Sequence, residues 1–415
     1  MTRTLLVQNI SQLLTMDTGL HDLRSPHDSR ILGLVEDAAM AIAGDKVVWV
    51  GPAEEVPPNY RNNVEAIDAG GRVVMPGLVE SHTHLVFGGS RAHEFSLRSR
   101  GATYEEIAQQ GGGISHTVEE TRKSNADELF LSGMARLDVF AEFGVTTVEI
   151  KSGYGLDFDS ELKMLEVIQA LAGRHPLDVV ATFLGAHIVP FDYRTKRHSY
   201  IEMLCEELIP QVADEQLAVF CDVFCENGAF SVSEARTILE AAKKVGLKLK
   251  VHAEQLTRLG GSLLAAEMGA VSADHLDFAG EREAVELSHQ GVVSVLLPGA
   301  TFFLGKQNYA NGRMFIDAGG AVAISTDFNP GSSNTQNLWL MGTMACTNCG
   351  LTPAQSLWGM TRGAAKALAR EDLVGALTPG RQADFLILDH VDWQNVLYLY
   401  GHNPVTAVYK SGKPL

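Results

Sequence analysis

Cysteine is scarce in this chain of 415 residues: Cys205, Cys221, Cys225, Cys346 and Cys349 are the only five. So sparse and odd a set is no disulfide framework, and it points to reduced thiols in the cytoplasm. Cys346 and Cys349 form a C-x-x-C with no second pair at matching distance, so helix-packing thiols are expected there rather than a zinc ribbon. Basic residues are also few. Lys and Arg number 33 against 50 Asp and Glu, a net charge of −17, which argues against nucleic acid or an anionic membrane as partner. It does not constrain a small substrate, because charge inside a pocket can oppose the global sign. Long apolar runs are missing too. The longest, Val292 to Leu304, is broken by Pro298 and Gly299 and is too short for a bilayer. The first residues, "MTRTLLVQNISQLLTMD", hold no continuous apolar core or small-residue cleavage site, so no signal peptide is expected.

What the chain does have is enough apolar residue, 46%, for a large core. Residues 1–70 read as short strands: "TLLVQNI", "AAMAIAGDKVVWVG" and "VEAIDAGGRVVMPG" alternate apolar and polar residues and break at Gly-Asp and Gly-Gly. The C-terminal "DFLILDH" and "AVYKSGKPL" share that texture. One small β-sandwich domain built from both termini, 1–70 plus 376–415, is therefore expected.

Between them, eight β-branched apolar segments alternate with amphipathic helical runs such as "SELKMLEVIQALAGRH" and "SVSEARTILEAAKKVG". The segments are "RVVMPGLVESHTH", "GVTTVEIKSGYG", "DVVATFLGAHIVP", "LAVFCDVFCE", "LKLKVHAEQ", "GAVSADHLD", "VVSVLLPGAT" and "AVAISTDFNP". They span about 255 residues, ~32 per unit, which fits an α/β fold of the (β/α)8 TIM-barrel type over 71–375. A doubly wound open sheet is the rival, but it gives no reason for polar residues at nearly every strand end.

Those ends carry His82 and His84, Lys151 and Tyr154, His187, His252 with Glu254 and Gln255, Asp274 and His275, and Asp327 with Asn329. In a barrel they converge on the C-terminal face. His82 and His84, two apart, point the same way. Asp327, on the eighth strand, neighbours them across the barrel closure, and His252 arrives from the opposite side. Three His and one Asp suit Zn2+, Fe2+ or a similar ion with room left for water.

"PGLVESHTHLVFGGSR" resembles the first-strand signature of the amidohydrolase superfamily, metal-dependent barrel hydrolases and deaminases with a flanking β-sandwich. More narrowly, "GGGISHTVEETR", "EIKSGYGL", "FLGAHIVP", "VHAEQL", "SADHL" and "STDFNPGSS" resemble its imidazolonepropionase family. H-x-H specifies only the superfamily, whereas "KSGYGL", "GAHIVP" and "DFNPGS" together point to the narrower family, and the resemblance covers nearly the whole chain.

The resemblance implies hydrolysis of the ring amide of 4-imidazolone-5-propanoate to N-formimidoyl-L-glutamate in histidine catabolism. It implies one divalent ion, Zn2+ or Fe, on His82, His84, His252 and Asp327, and a homodimer. It implies Arg91 for the substrate carboxylate, to which a guanidinium is suited. Tyr154, His187, Asn329, Gly331 and Ser332 would line the substrate. Some relatives carry Glu where this chain has Gln255. Gln cannot usefully accept a proton, so it is expected to hydrogen-bond the substrate. Glu254, one residue away, is expected to face elsewhere. Proton transfer is then expected from His275 and Asp327.

Binuclear relatives use a carboxylated lysine, but Lys151 lies on another strand. It is expected to pair with a carboxylate at the barrel rim, leaving one metal. The alternative readings are a ring deaminase or another cyclic amidase of the superfamily, which would not need Arg91, and a silent barrel, which would not keep all four ligands.

Overall fold

The computed structural model describes residues 4–61, 64–102 and 112–415. Gly111 of the "GGGISHTVEETR" motif, and Asn62 and Asn63 of the N-terminal stretch, lie outside them.

In chain order the strands are β1 (Thr4–Leu14), β2 (Leu34–Ala43), β3 (Lys46–Pro52), β4 (Glu65–Pro76), β5 (Leu78–Glu80), β6 (Val145–Lys151), β7 (Asp178–Ala186), β8 (Phe220–Cys225), β9 (Lys248–Ala253), β10 (Ser272–His275), β11 (Val293–Leu296), β12 (Val322–Ile324), β13 (Phe385–Leu388), β14 (Val405–Lys410) and β15 (Lys413–Pro414).

Seven strands from the two termini form one sheet in the order β15-β14-β13-β4-β1-β2-β3. The sheet is mixed: β1 runs parallel to β4 and antiparallel to β2. It folds over on itself, so that Lys46 at the start of β3 bridges Gln382 and the Ala383 amide donates to the Asp45 carbonyl. Leu5, Val7, Met40, Ile42, Phe385 and Ile387 pack together in a core of its own. The expected Gly-Asp turn joins β2 to β3 with Gly44 at φ 67°, a conformation that costs glycine little.

β5 to β12 are the expected eight barrel strands, parallel and paired in sequence. Every residue of β6, β10, β11 and β12 is buried, because helices cover the outside and side chains fill the inside. The barrel closes between its last and first strands. Thr83 bridges Phe328 in parallel, the His84 amide donates to the Phe328 carbonyl at 2.9 Å, and the Ser81 and Ser325 hydroxyls lie 2.6 Å apart.

The helices start where side chains satisfy their free amides. Asp157 caps Phe158–Arg174, and Ser231 with Glu234 forms a capping box on Val232–Lys244. Among the described residues, no helix is long and apolar enough to cross a membrane.

The first expected barrel strand, "RVVMPGLVESHTH", needs correcting. Arg72 to Pro76 belongs to β4, where it pairs with β1 and β13. Only Leu78–Glu80 pairs with β6, and Gly77 separates the two. A Cβ on Gly77 would lie 2.4 Å from Thr146 Cγ2, so the chain passes from one sheet to the other where only glycine fits.

Candidate metal centre

His82 and His84 sit just past β5, held in extended form by the bridge at Thr83. His252 lies near the end of β9, His275 ends β10, and Asp327 follows β12 by three residues. All five are buried. Asp327 Oδ1 lies 3.5 Å from both His82 Nε2 and His84 Nε2, and His84 Nε2 lies 3.5 Å from His252 Nε2. Donors around one ion at ~2.1 Å are separated by roughly 3.4 Å if tetrahedral, so this spacing fits a metal. Ring nitrogens of His82, His252 and His275 form a second group within 4.8 Å of one another. His82 Nε2 is buried and has no hydrogen-bond partner among the described residues. A buried nitrogen left bare is costly unless something fills the space before it.

For His82 the opposite ring nitrogen fixes the tautomer. His82 Nδ1 donates to Asp274 Oδ2 at 2.6 Å, and His252 Nδ1 lies 2.9 Å from Asp222 Oδ2. A carboxylate behind an imidazole would leave the Nε2 lone pair free to bind an ion. Burial, and then the neighbouring basic side chains (Lys151 for His82, His187 for His84), push both well below the ordinary histidine range, so both are neutral, the form that binds a metal. Burial pushes the Asp327 carboxyl well above its usual range, against bonds from Asn329 and Ser332. A divalent cation among these donors reverses that push.

Asp222 and Asp274 were not foreseen as partners of the ligands. They belong to a layer of five charges under the site, all fully buried: Glu149, Lys151, Asp222, Lys250 and Asp274. Lys151 Nζ reaches Glu149 at 2.8 Å and Asp222 at 2.9 Å, and Lys250 Nζ reaches Glu149 at 3.0 Å and the Ser81 carbonyl at 2.9 Å. Lys151 therefore pairs with carboxylates as expected, but inside the barrel and not at its rim. Burial alone would favour its neutral form; Asp222, Glu149 and Asp274 outweigh it and keep the amine protonated. For Asp222, burial is outweighed by His252 and Lys151, which hold the carboxylate ionised.

A cavity of about 600 Å³ opens over the donors. His84, His252, His275 and Asp327 line it together with Arg91, Tyr154, His187, Gln255, Asn329, Gly331 and Ser332, so every expected substrate contact reaches one space. Arg91 is not on an exposed loop. It is buried at the N-terminal cap of the helix Ala92–Ser99, with Nε and Nη2 on Glu94 Oε2 at 2.9 and 2.8 Å.

His187 stacks on His84 with ring centroids 4.9 Å apart, and its Nδ1 donates to the Gly153 carbonyl at 3.0 Å. Burial and the neighbouring His252 push it down to about 3, so it is neutral and Nε2 is an acceptor. The Asn329 side chain binds its own loop: Nδ2 donates to Ser332 Oγ at 2.8 Å, and Oδ1 accepts from the Gly331 and Ser332 amides at 2.8 Å. Ser332 Oγ in turn donates to Asp327 Oδ2 at 3.3 Å. Glu254 turns away as expected and takes the Gly260 and Ser262 amides at 2.7 and 2.8 Å. His275 and Asp327 hold φ of 79° and 53°, strain of the kind that concentrates at functional sites. Arg98 and Lys306 also line the cavity and were not foreseen. All five cysteines are unpaired thiols.

Residues 73–415 match the amidohydrolase family model. The chain is 43% identical to an imidazolonepropionase of Alkaliphilus metalliredigens, covering 98% of this chain and 97% of that protein. It is 46% identical to an imidazolonepropionase of Geobacillus thermodenitrificans (92% and 91% covered) and 45% identical to one of Shewanella baltica (94% and 95%). Among solved structures it resembles a zinc-bound adenosine deaminase from Xanthomonas campestris, with a TM-score of 0.72 at 20% identity, covering 99% and 92% of the two chains. A triazine hydrolase variant aligns at a TM-score of 0.73 and 18% identity over 100% and 94%. Likenesses at such identity concern the fold.

Proposed function

The chain belongs to the amidohydrolase family, among its imidazolonepropionases, and on that premise we infer how its site opens the ring of 4-imidazolone-5-propanoate to give N-formimidoyl-L-glutamate in histidine degradation. The observation that carries this reading is one cavity lined both by His84, His252 and Asp327 of the proposed metal cluster and by a buried arginine.

The enzyme uses a divalent metal ion. We assign one Zn2+ or Fe ion per chain to His82, His84, His252 and Asp327. When bound, it supplies a Lewis acid and a water acidic near pH ~7. Arg91, pre-set by Glu94, grips the propionate, and Tyr154 and Gln255 flank the substrate. His187, its Nδ1 proton held by Gly153, offers Nε2 to a ring N–H. Gly331 leaves room for the Arg91 guanidinium: a Cβ there would lie 2.7 Å from Arg91 Cζ. Asn329 and Ser332 hold the loop that carries Asp327.

Hydrolysis needs a proton taken from water and one given to the departing ring nitrogen. His275 is assigned that work together with Asp327. Its Nδ1 has no partner among the described residues, and its ring lies 5.4 Å from that of His252.

Mass spectrometry of the product, with an ammonia assay alongside, tests the reaction. Ring opening adds one water to the substrate and releases no ammonia. Stoichiometric ammonia with the ring intact would mean a deaminase.

A further inference from the structure

A second cavity, of about 520 Å³, lies on another side of Arg91. Arg91, Arg136, Phe87, Phe143, Phe328 and Asn334 are among its walls, and none of its described lining residues is acidic. That is unusual in a chain carrying a net charge of −17.

Arg136 comes from the helix Ala126–Glu142. Its Nη1 donates to the Leu85 and Phe87 carbonyls at 2.6 and 3.1 Å, and its Cζ sits 3.5 Å from the Phe87 ring centroid. No carboxylate among the described residues pairs with it, and burial alone pushes its guanidinium down to about 10. A half-buried cation without a counter-charge favours an anion. The helix Leu338–Asn348 begins at Asn337, which lines the same cavity, and its N-terminus adds positive potential.

We propose that this cavity is a second ligand site, taking a small organic carboxylate with its charge on Arg136 and its apolar body against Phe87, Phe143 and Phe328. Two of its walls belong to the active site. Arg91 lines both cavities, and Phe328 follows Asp327 and accepts the His84 amide at 2.9 Å. A ligand here therefore acts on the enzyme without competing for the metal. The predicted effect on KM rests on the reading of Arg91 as the substrate's carboxylate partner; the binding itself does not.

3-Phenylpropionate is the probe, titrated calorimetrically into metal-loaded enzyme, with sulfate as the inorganic control. Neither Arg136 nor Asn334 lines the active-site cavity, so their variants separate the two locations. Arg136→Gln is expected to weaken binding about tenfold or more, as for a lost charge-assisted contact. Asn334→Asp, nearly isosteric, puts a repelling charge in the cavity and is expected to do the same. It also covers a misfolded Arg136 variant. In steady-state assays the probe should raise the KM of wild-type enzyme with less change in kcat, and should do so less in the two variants. Binding unchanged by both variants would overturn the site, as would inhibition that persists undiminished in both. Equal binding of sulfate would overturn the organic-carboxylate class. If binding follows the variants but KM does not respond, the site stands and the role given to Arg91 fails.

Discussion

Gly331→Ala isolates the carboxylate grip without touching a charged residue. The glycine's φ lies outside the left-handed region, so alanine meets no backbone strain there. Its Cβ, however, would lie 2.7 Å from Arg91 Cζ and closer still to Nη1, inside any real carbon contact. Arg91 is tied to Glu94 by two contacts of 2.8 and 2.9 Å, so its guanidinium must swing as a unit. The moving atoms are the end of a flexible side chain, and the fold should lose less than about 1 kcal/mol. A charge-assisted grip is worth about 1.5–3 kcal/mol, which converts to a KM raised about 10- to 150-fold. Turnover should change less, and metal content should not change. Arg91→Ala should raise KM to a similar degree, and the double variant should be no worse than Arg91→Ala alone, because both changes remove one interaction. Steady-state kinetics on the three variants, with metal analysis of each, is the assay. A KM within twofold of wild type for Gly331→Ala, or effects of the two changes that simply add, would refute the reasoning.

Asp222→Asn removes the carboxylate behind His252 and one of the charges balancing Lys151; metal affinity should fall about 10- to 100-fold, read by competition with a chelator. Lys151→Met leaves Glu149, Asp222 and Asp274 facing one another with only Lys250 among them, and should cost about 3–5 kcal/mol in chemical denaturation. Asp277 supplies a pH test. Burial pushes its carboxyl up to about 7 from a free value of 3.8, and bonds from Thr301 and Ala310 only partly oppose this. The folded state then holds a proton that the unfolded state has released, so this group's contribution is fully present below about pH 4 and is lost as pH rises to about 7. Asp277→Asn keeps an oxygen for Thr301 and carries no such penalty. Thermal melts from pH 4 to 8 should show the variant gaining on wild type as pH rises; parallel curves would contradict it.

The barrel, and the four residues proposed to hold the metal, were legible because their signals are local. Each strand is a short β-branched run ending in a polar residue, and His82-Thr83-His84 places two donors together without knowledge of the rest of the chain. What stayed hidden is long-range or masked by burial. The His82–Asp274 bond joins residues 192 positions apart. Asp222 in "FCDVFC" and Lys250 in "LKLKV" point into a barrel whose strands are buried on both faces, so no alternation marks them as inward. A carboxylate inside an apolar strand was itself a usable signal, since such a group is rarely buried without a partner. Sequence alone places Pro76-Gly77 inside one barrel strand, because nothing local says that Val74 and Met75 pair with β13 instead of the barrel. Arg91 read as part of a loop because its burial comes from Glu94 and the Asp327 loop.

The most direct test of the whole account follows the ultraviolet absorbance of freshly made 4-imidazolone-5-propanoate under metal-loaded enzyme, chelator-treated enzyme, and treated enzyme given back one equivalent of Zn2+ or Fe2+. The site built from His82, His84, His252 and Asp327 predicts rapid loss of signal, then only the spontaneous rate, then recovery at one ion per chain. Unchanged loss of signal after the metal has been removed, confirmed by elemental analysis, would contradict it.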